Sequence, residues 1–163
     1  MTPQSKPIYC IDSSSLMNFE GRHPKDIFVG LWDDLGELIL ANRLVSHREV
    51  YEEIQQGSGF LTEWAKEHRQ IFVDHTAEQA KLIGEIVDKF PALSGAHKTT
   101  PHEADPWLIA MSICEGKSLT VVTEESARPQ KRKIPAACDH FGVPWMNGYQ
   151  LLREEKWQYI RAR

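Results

Sequence analysis

Four carboxylic acids stand where their side chains could act together on a metal ion. Asp12 follows an apolar run, Glu53 lies in a helix-like segment, Asp105 begins another such segment, and Glu125 follows the most strand-like run of the chain. Hard divalent cations such as Mg²⁺ bind oxygen ligands, usually a few carboxylates plus water. Clustered carboxylates repel one another, and a bound cation removes that cost. The four acids are therefore a candidate Mg²⁺ or Mn²⁺ site that could activate water against a phosphodiester.

Each acid alone also has an ordinary structural explanation. Asp12 could simply form a turn after a strand, and Asp105 could cap the helix that begins at Pro106. Glu53 and Glu125 could be solvated surface charges. The order of the four acids along the chain is what favours a shared site.

Neighbouring acids leave two of these assignments open. Glu49, Glu52 and Glu53 share one helical segment, where Glu49 and Glu53 lie on the same face and Glu52 points about 100° away from Glu53. Glu124 and Glu125 are adjacent, so either can be the fourth acid.

The segments that carry these acids alternate between strand-like and helix-like patterns. Short apolar runs predict strands at residues 8–11, 44–45, 71–73, 119–123 and 143–146. Helical spacing and capping signals predict helices at residues 24–39, 46–54, 60–68, 76–90, 105–115, 135–141 and 149–156. This alternation predicts an α/β fold, a three-layer α/β/α sandwich with a mostly parallel central sheet. Because reactive groups gather at the carboxyl ends of such strands, the four acids are expected to meet at one edge of the sheet.

Several local features are predicted as well. The three serines after Asp12 predict a polar loop, and residues 91–101 predict a mobile loop rich in helix breakers. Ser46 and Glu49 have the spacing of a capping box. Thr76 is a candidate cap for the following helix, and Trp107 has the spacing of a core residue.

Composition and charge set the remaining limits. The chain has 163 residues, of which 41% are hydrophobic and 26% are charged, and this predicts a single domain over residues 1–163. Its core is expected at about residues 8–152, and the tail at residues 153–163 is expected to contact a partner or to fray. No apolar run approaches the roughly 20 residues of a membrane helix, and Cys10, Cys114 and Cys138 form no metal-binding pair. A cytoplasmic protein with no membrane contact is expected. The net charge of −4 counts against a nucleic-acid binder, unless bound metal offsets the acids.

A basic segment at residues 126–133 is the candidate contact for nucleic-acid phosphates. It carries Arg128, Lys131, Arg132 and Lys133. A solvated loop explains these four side chains equally well.

The order of the acidic segments resembles that of PIN-domain nucleases over about residues 8–152. The resemblance is carried by residues 8–16 (IYCIDSSSL), 50–54 (VYEEI), 104–110 (ADPWLIA) and 121–125 (VVTEE). Within that group the chain looks most like the bacterial DUF4411 proteins, through the VVTEE run, residues 133–138 (KIPAAC) and residues 105–107 (DPW). The resemblance favours Glu53 in the second segment. Glu125 departs from the Asp that many PIN domains have at the fourth position.

The resemblance implies an endoribonuclease that cleaves single-stranded RNA with Mg²⁺ or Mn²⁺. Asp12 and Asp105 would be the primary ligands, with Glu53 at their side and Glu125 completing the cluster. Supporting residues would be Ser14 and Thr123, which would hold the carboxylates by hydrogen bonds, together with Glu49 and Glu124. Many PIN proteins are toxins of type II toxin–antitoxin pairs, which implies an antitoxin as a possible partner and a homodimer as a possible assembly.

The main alternative is a catalytically inactive PIN-like module that binds RNA or protein. A haloacid-dehalogenase-type phosphatase is disfavoured because it needs a second Asp two residues after the first, and Ser14 stands there.

Overall fold

The protein is built around a five-stranded sheet. The computed structural model describes residues 5–94, 104–116, 118–125 and 134–161. The strands are β1 Ile8–Ile11, β2 Leu44–His47, β3 Phe72–Val73, β4 Leu119–Val122 and β5 Trp145–Met146. They lie in the order β3-β2-β1-β4-β5, and every neighbouring pair is parallel. The predicted α/β class with a mostly parallel sheet is confirmed.

Helices flank this sheet. They are α1 Ser13–Arg22, α2 Val29–Leu40, α3 Arg48–Gln55, α4 Phe60–Glu67, α5 Ala77–Lys89, α6 Ala104–Cys114, α7 Ile134–Phe141 and α8 Gly148–Glu154. Successive residues of a strand point to opposite faces, yet Tyr9, Cys10 and Ile11 are all fully buried. Both faces of the central strand are therefore covered, consistent with the expected three-layer sandwich. None of the described helices is long and apolar enough to cross a membrane.

The predicted polar loop after Asp12 is wrong, because α1 begins at Ser13. The serines occupy the first turn of the helix, where backbone N–H groups have no partner inside the helix and a polar residue costs least. Leu16 and Phe19, three residues apart, bury the inner face of α1. The helix therefore begins immediately at the end of the strand.

The predicted capping box at Ser46 is also wrong. Ser46 lies inside β2, where it is fully buried and its hydroxyl donates to the Ile11 carbonyl at 2.6 Å. The strand continues to His47, which pairs with Val73 of β3 and caps α3 through its Nδ1 atom. Thr76, by contrast, does cap α5, in a complete capping box.

The residues after α8 pack back onto the domain. The Glu155 carboxylate accepts hydrogen bonds from Tyr9 at 2.6 Å and from Arg43 at 2.9 Å. Further on, Trp157 packs against the core and the Tyr159 hydroxyl donates to Asp34 at 2.8 Å. The C-terminal segment, as far as it is described, thus contacts the folded domain. Within the predicted mobile loop, Pro91–Leu93 form a 3₁₀ turn, and residues 95–101 lie outside the described part of the chain.

Candidate active site at the carboxyl edge of the sheet

The strand order creates a crevice at the carboxyl ends of β1 and β4. The chain runs outward from β1 to β2 and β3, then returns to the other side of β1 with β4 and β5. Ligands of open parallel sheets bind where the order reverses in this way. Ile11 pairs with Val122, so Asp12 and Thr123 follow at the same level on adjacent strands, and the Asp12 amide donates to the Val122 carbonyl at 3.0 Å.

Asp12 is held in this crevice by several donors. Its carboxylate accepts the Ser15 backbone N–H at 2.8 Å, as the N-cap of α1. The Ser14 hydroxyl donates to the same carboxylate at 2.8 Å, and the nearby buried Thr123 hydroxyl lowers the pKa of Asp12. Only 3% of Asp12 is exposed. The side chain is therefore fixed in orientation with its oxygens in a dry environment.

Among the described residues, the groups that most affect the pKa of Asp12 are hydrogen-bond donors and a second acid, with no cation among them. Burial raises its pKa to about 7, although the hydrogen bonds from Thr123, Ser15 and Ser14 act in the opposite direction. The nearby Asp105 carboxylate raises the pKa further. The fold thus supplies donors that favour the ionised form and a burial that disfavours it. Such an arrangement is stabilised by a bound cation.

Asp105 lies in the first turn of α6, close enough to Asp12 to raise the pKa of that carboxyl. It is 7% exposed, and the helix N-terminus favours its negative charge. Asp12 and Asp105 are therefore two buried acids from opposite parts of the sequence that act on each other electrostatically.

Among the three candidate glutamates of α3, Glu53 reaches the helix that follows Asp12. The Ser13 hydroxyl donates to the Glu53 carboxylate at 2.5 Å. Glu52 instead makes a long ion pair with Arg48 at 4.0 Å, and Glu49 lies 2.9 Å from the His75 imidazole. The 100° step of the helix already sets Glu52 apart from Glu49 and Glu53. The hydrogen bond from Ser13 of α1 then distinguishes Glu53 from Glu49.

The two acids after β4 both hold the start of a helix. The Glu124 carboxylate accepts the Gly148 amide at 2.7 Å at the start of α8, and lies 3.5 Å from the Ser15 hydroxyl. The Glu125 carboxylate accepts the Ile134 amide at 2.8 Å at the start of α7. Burial raises the pKa of the Cys138 thiol most, and Asp139, Glu125 and Asp12 are close enough to raise it further. Both glutamates therefore reach the crevice, with at least one oxygen committed to a helix.

The serines of α1 contribute more than the sequence indicated. Ser14 accepts the Glu124 amide at 3.1 Å while it donates to Asp12, which ties the ends of β1 and β4 together. Ser13 and Ser15 contact Glu53 and Glu124 and were missed as site residues. Their position directly after the acid was the available signal.

A closed cage of metal ligands is not formed by the described residues. In residues 5–94, 104–116, 118–125 and 134–161, no three side chains of His, Cys, Asp or Glu lie close enough to hold one ion. The basic residues predicted to contact phosphates, Arg128, Lys131, Arg132 and Lys133, lie outside these ranges. The site defined here is thus a buried carboxylate pair with Glu53, Glu124 and Glu125 around it.

A doubly wound α/β domain with an acidic pair at its switch point is the class that fold and site define. The chain matches the family model described as a domain of unknown function, DUF4411, over residues 9–159. The protein therefore belongs to the DUF4411 family. A search of curated proteins found no match to the chain.

Proposed function

We propose that the protein is a PIN-like endoribonuclease that cleaves single-stranded RNA with Mg²⁺ or Mn²⁺ held at Asp12 and Asp105. The observation that carries the proposal is the state of Asp12. Its carboxylate is buried, fixed by hydroxyl and amide donors, and placed beside a second buried acid. The order of the acidic segments, which resembles that of PIN nucleases, supports RNA as the substrate.

The donor set fits Mg²⁺ or Mn²⁺ in this proposal. Both ions accept hard oxygen ligands, and Mg²⁺ is commonly held by one or two carboxylates while it keeps several waters. Two buried carboxylates match that requirement without a third close ligand. When bound, the metal supplies positive charge that helps to deprotonate water and stabilises charge on the phosphoryl oxygens.

The protein groups have distinct tasks. Asp12 and Asp105 hold the cation, and Ser14 and Thr123 keep Asp12 in its binding orientation. Glu53, fixed by Ser13, orients the attacking water from the side of α3. Glu125 secures α7 and completes the negative rim of the crevice.

A specific observation favours the alternative of an inactive PIN-like module that binds RNA or protein. Glu124 and Glu125 each use a carboxylate oxygen to cap a helix. In the part of the chain that the structure describes, three close metal ligands are also lacking. A protein whose outer acids hold helices in place would keep the crevice for binding and would not cleave RNA.

Cleavage of a labelled single-stranded RNA in Mg²⁺ or Mn²⁺ distinguishes the two functions. Asp12→Asn and Asp105→Asn keep side-chain shape and remove charge, and each is expected to lower the cleavage rate by more than about 100-fold, beyond the effect typical of residues that only orient ligands. Asp88→Asn, a change at an exposed acid on α5, is the matched control and should cleave like the natural protein. A folded Asp12→Asn protein with unchanged metal-dependent cleavage overturns the nuclease assignment. Metal-independent RNA binding without cleavage by the natural protein establishes the inactive module.

A further inference from the structure

Three aromatic rings lie near one another at the carboxyl edge, on the β2 side of Asp12. His47 ends β2, His75 follows β3, and Trp107 is in α6 two residues after Asp105. The planes of His75 and Trp107 are 17° apart, with ring centroids 4.0 Å from each other. His47 is nearly parallel to both rings, with centroids 4.9 Å from His75 and 5.2 Å from Trp107. We call His75 and Trp107 the ring pair, and His47 is its support.

The support is a rigid, neutral imidazole. His47 is fully buried, and its Nδ1 accepts the Glu49 amide at 3.2 Å. The proton must then be on Nε2, which donates to the Gln79 side chain at 3.3 Å. Burial and the neighbouring His75 lower the pKa of His47 to about 4. The ring therefore has a fixed tautomer and orientation near neutral pH.

The ring pair itself reaches the surface. The side chain of His75 is 37% exposed, and its Nε2 lies 2.9 Å from the Glu49 carboxylate. Trp107 is half-buried, so the prediction that it is a core residue is only partly correct. The contact with Glu49 and the stacking on Trp107 hold an exposed imidazole in one orientation, and this order reduces the entropy lost when a ligand binds.

The ring pair is also close to the acidic pair. Neighbouring parallel strands are about 4.8 Å apart; His47 ends β2, directly beside β1, and His75 follows β3, one strand further out. Trp107 is two residues after Asp105 on α6, about 3 Å further along the axis and roughly 200° around it, so the two side chains leave the helix on different sides. An RNA strand that crosses this edge with a phosphate at Asp12 and Asp105 would bring the base of a flanking nucleotide to the rings.

We infer that His75 and Trp107 form a stacking platform for an unpaired nucleobase of the RNA that is cleaved at the acidic pair. This inference rests on the proposed function and adds a substrate contact to it. Aromatic rings stack on any base and need the base to be unpaired, so the platform would select single strands with little sequence preference. The net charge of −4 gives no overall attraction to phosphates, and stacking supplies affinity that does not depend on charge.

Binding measured without cleavage tests the platform. The full-length protein is titrated in EDTA into a short fluorescein-labelled single-stranded RNA, and fluorescence anisotropy gives the dissociation constant. Trp107→Ala and His75→Ala are each expected to weaken binding roughly tenfold to a hundredfold, the range of one base–aromatic stack. Trp107→Phe and His75→Phe keep a ring and should retain most of the affinity. Trp145→Ala, at a half-buried tryptophan of the far edge strand, is the matched control.

RNAs with one abasic position show whether a base makes the contact. At the position that reaches the platform, removal of the base should weaken binding to the natural protein and have no added effect on Trp107→Ala. Duplex RNA of the same sequence should show no loss on either alanine substitution. Equal losses for intact and abasic RNA, or equal losses for duplex and single strand, would show a structural role and overturn the inference. Because His75 is exposed, His75→Ala carries the test if Trp107→Ala does not fold.

The two proposals fail in different ways. Metal-dependent cleavage with unchanged affinity in both alanine variants overturns the platform and leaves the nuclease standing. Platform-dependent binding without cleavage in any divalent metal overturns the nuclease and leaves the platform standing. A natural protein that binds no single-stranded RNA overturns the platform.

Discussion

Each end of the central sheet has a carboxylate with little exposure, and the pKa values of the two carboxyls are shifted in opposite directions. At the carboxyl end, Asp12 is surrounded by hydroxyls, an amide and a second acid, and burial raises its pKa to about 7. At the amino end, burial would also raise the pKa of Glu155, but hydrogen bonds from Arg43 and Tyr9 outweigh it and the pKa is lowered. The Arg43 guanidinium donates hydrogen bonds to both carboxylate oxygens of Glu155 and lies over the Tyr9 ring.

The difference separates a structural acid from a candidate ligand. Glu155 has its countercharge supplied by the fold, so it holds the C-terminal segment against β1 and has no need of a ligand. Within the described residues, Asp12 has hydrogen-bond donors that fix its orientation, and no cation is among the groups that most affect its pKa. Uncompensated charge at a preorganised site is a mark of function, and the comparison with Glu155 shows that burial alone does not produce it.

Removing the structural acid should have the largest effect on stability. Glu155→Ala leaves the mostly buried guanidinium of Arg43 without its partner, since the two side chains are only 12% and 14% exposed. A loss of about 3 kcal/mol in the free energy of unfolding is expected from a broken buried pair, measured by urea denaturation. Glu154→Ala, at the exposed neighbouring position, should cost little. Equal losses in the two variants would contradict the structural role of Glu155.

The two ends should also respond to different ranges of pH. The unfolded chain protonates His47 near pH 6.5, whereas the folded chain does so only near pH 4. Through His47 the unfolded state binds more protons between these values, and this contribution lowers stability by about 3 kcal/mol as the pH drops from 6.5 to 4. Asp12 contributes in the opposite direction over the same range, because its pKa is about 7 in the folded chain and 3.8 in the unfolded chain. The lowered pKa of Glu155 adds a further loss only as the pH falls below its ordinary value of 4.5.

Urea denaturation at a series of pH values separates these contributions. Asn is a good helix cap, so His47→Asn should keep the start of α3. Relative to the natural protein, it should remove the loss of about 3 kcal/mol that His47 contributes between pH 6.5 and pH 4. Glu155→Gln should flatten only the acid end. A His47→Asn profile parallel to that of the natural protein would show that another group titrates there.

Metal should stabilise one end of the sheet and not the other. With Mn²⁺ at ten to a hundred times its dissociation constant, the natural protein should gain roughly 1–3 kcal/mol of unfolding free energy. Asp12→Asn should lose this gain, and without metal at mildly alkaline pH it should be no less stable than the natural protein, because it removes an uncompensated buried charge. Glu155→Gln should gain from Mn²⁺ as the natural protein does. Stabilisation of Asp12→Asn by Mn²⁺ would place the metal elsewhere.

The smallest expected effect is at Glu125, where two substitutions separate its structural role at the start of α7 from the role of its charge in the crevice. Glu125→Ala removes the acceptor at the start of α7 and should cost about 1 kcal/mol, as the loss of a helix cap does. Glu125→Gln keeps an acceptor oxygen and should unfold nearly like the natural protein. If the Glu125→Gln protein also retains full RNA cleavage, Glu125 acts by positioning α7 and its charge is not needed for cleavage.

Much of the fold was predictable from local patterns. Strands buried on both faces appear as short apolar runs, which gave β1 and β4, and the alternation with helices gave the parallel sheet. The extent of β2 was not predictable in the same way. Ser46 resembles a helix cap, but pairing with β3 keeps it in the strand and moves the cap to His47. The length of a strand depends on its neighbours, and a local pattern does not contain them.

The candidate site was likewise predictable only in part from the sequence. The sequence by itself determined that acids stand at the ends of strands and the starts of helices, in an order that brings Asp12 and Asp105 to one edge of a parallel sheet. Only the tertiary structure decided that Glu53 meets Ser13, that Glu124 and Glu125 hold distant helices, and that His75 stacks on Trp107. The physical reason is that residue type and spacing fix which groups can ionise and where along an element they stand. Burial, partners and hence pKa arise from segments that are far apart in the chain.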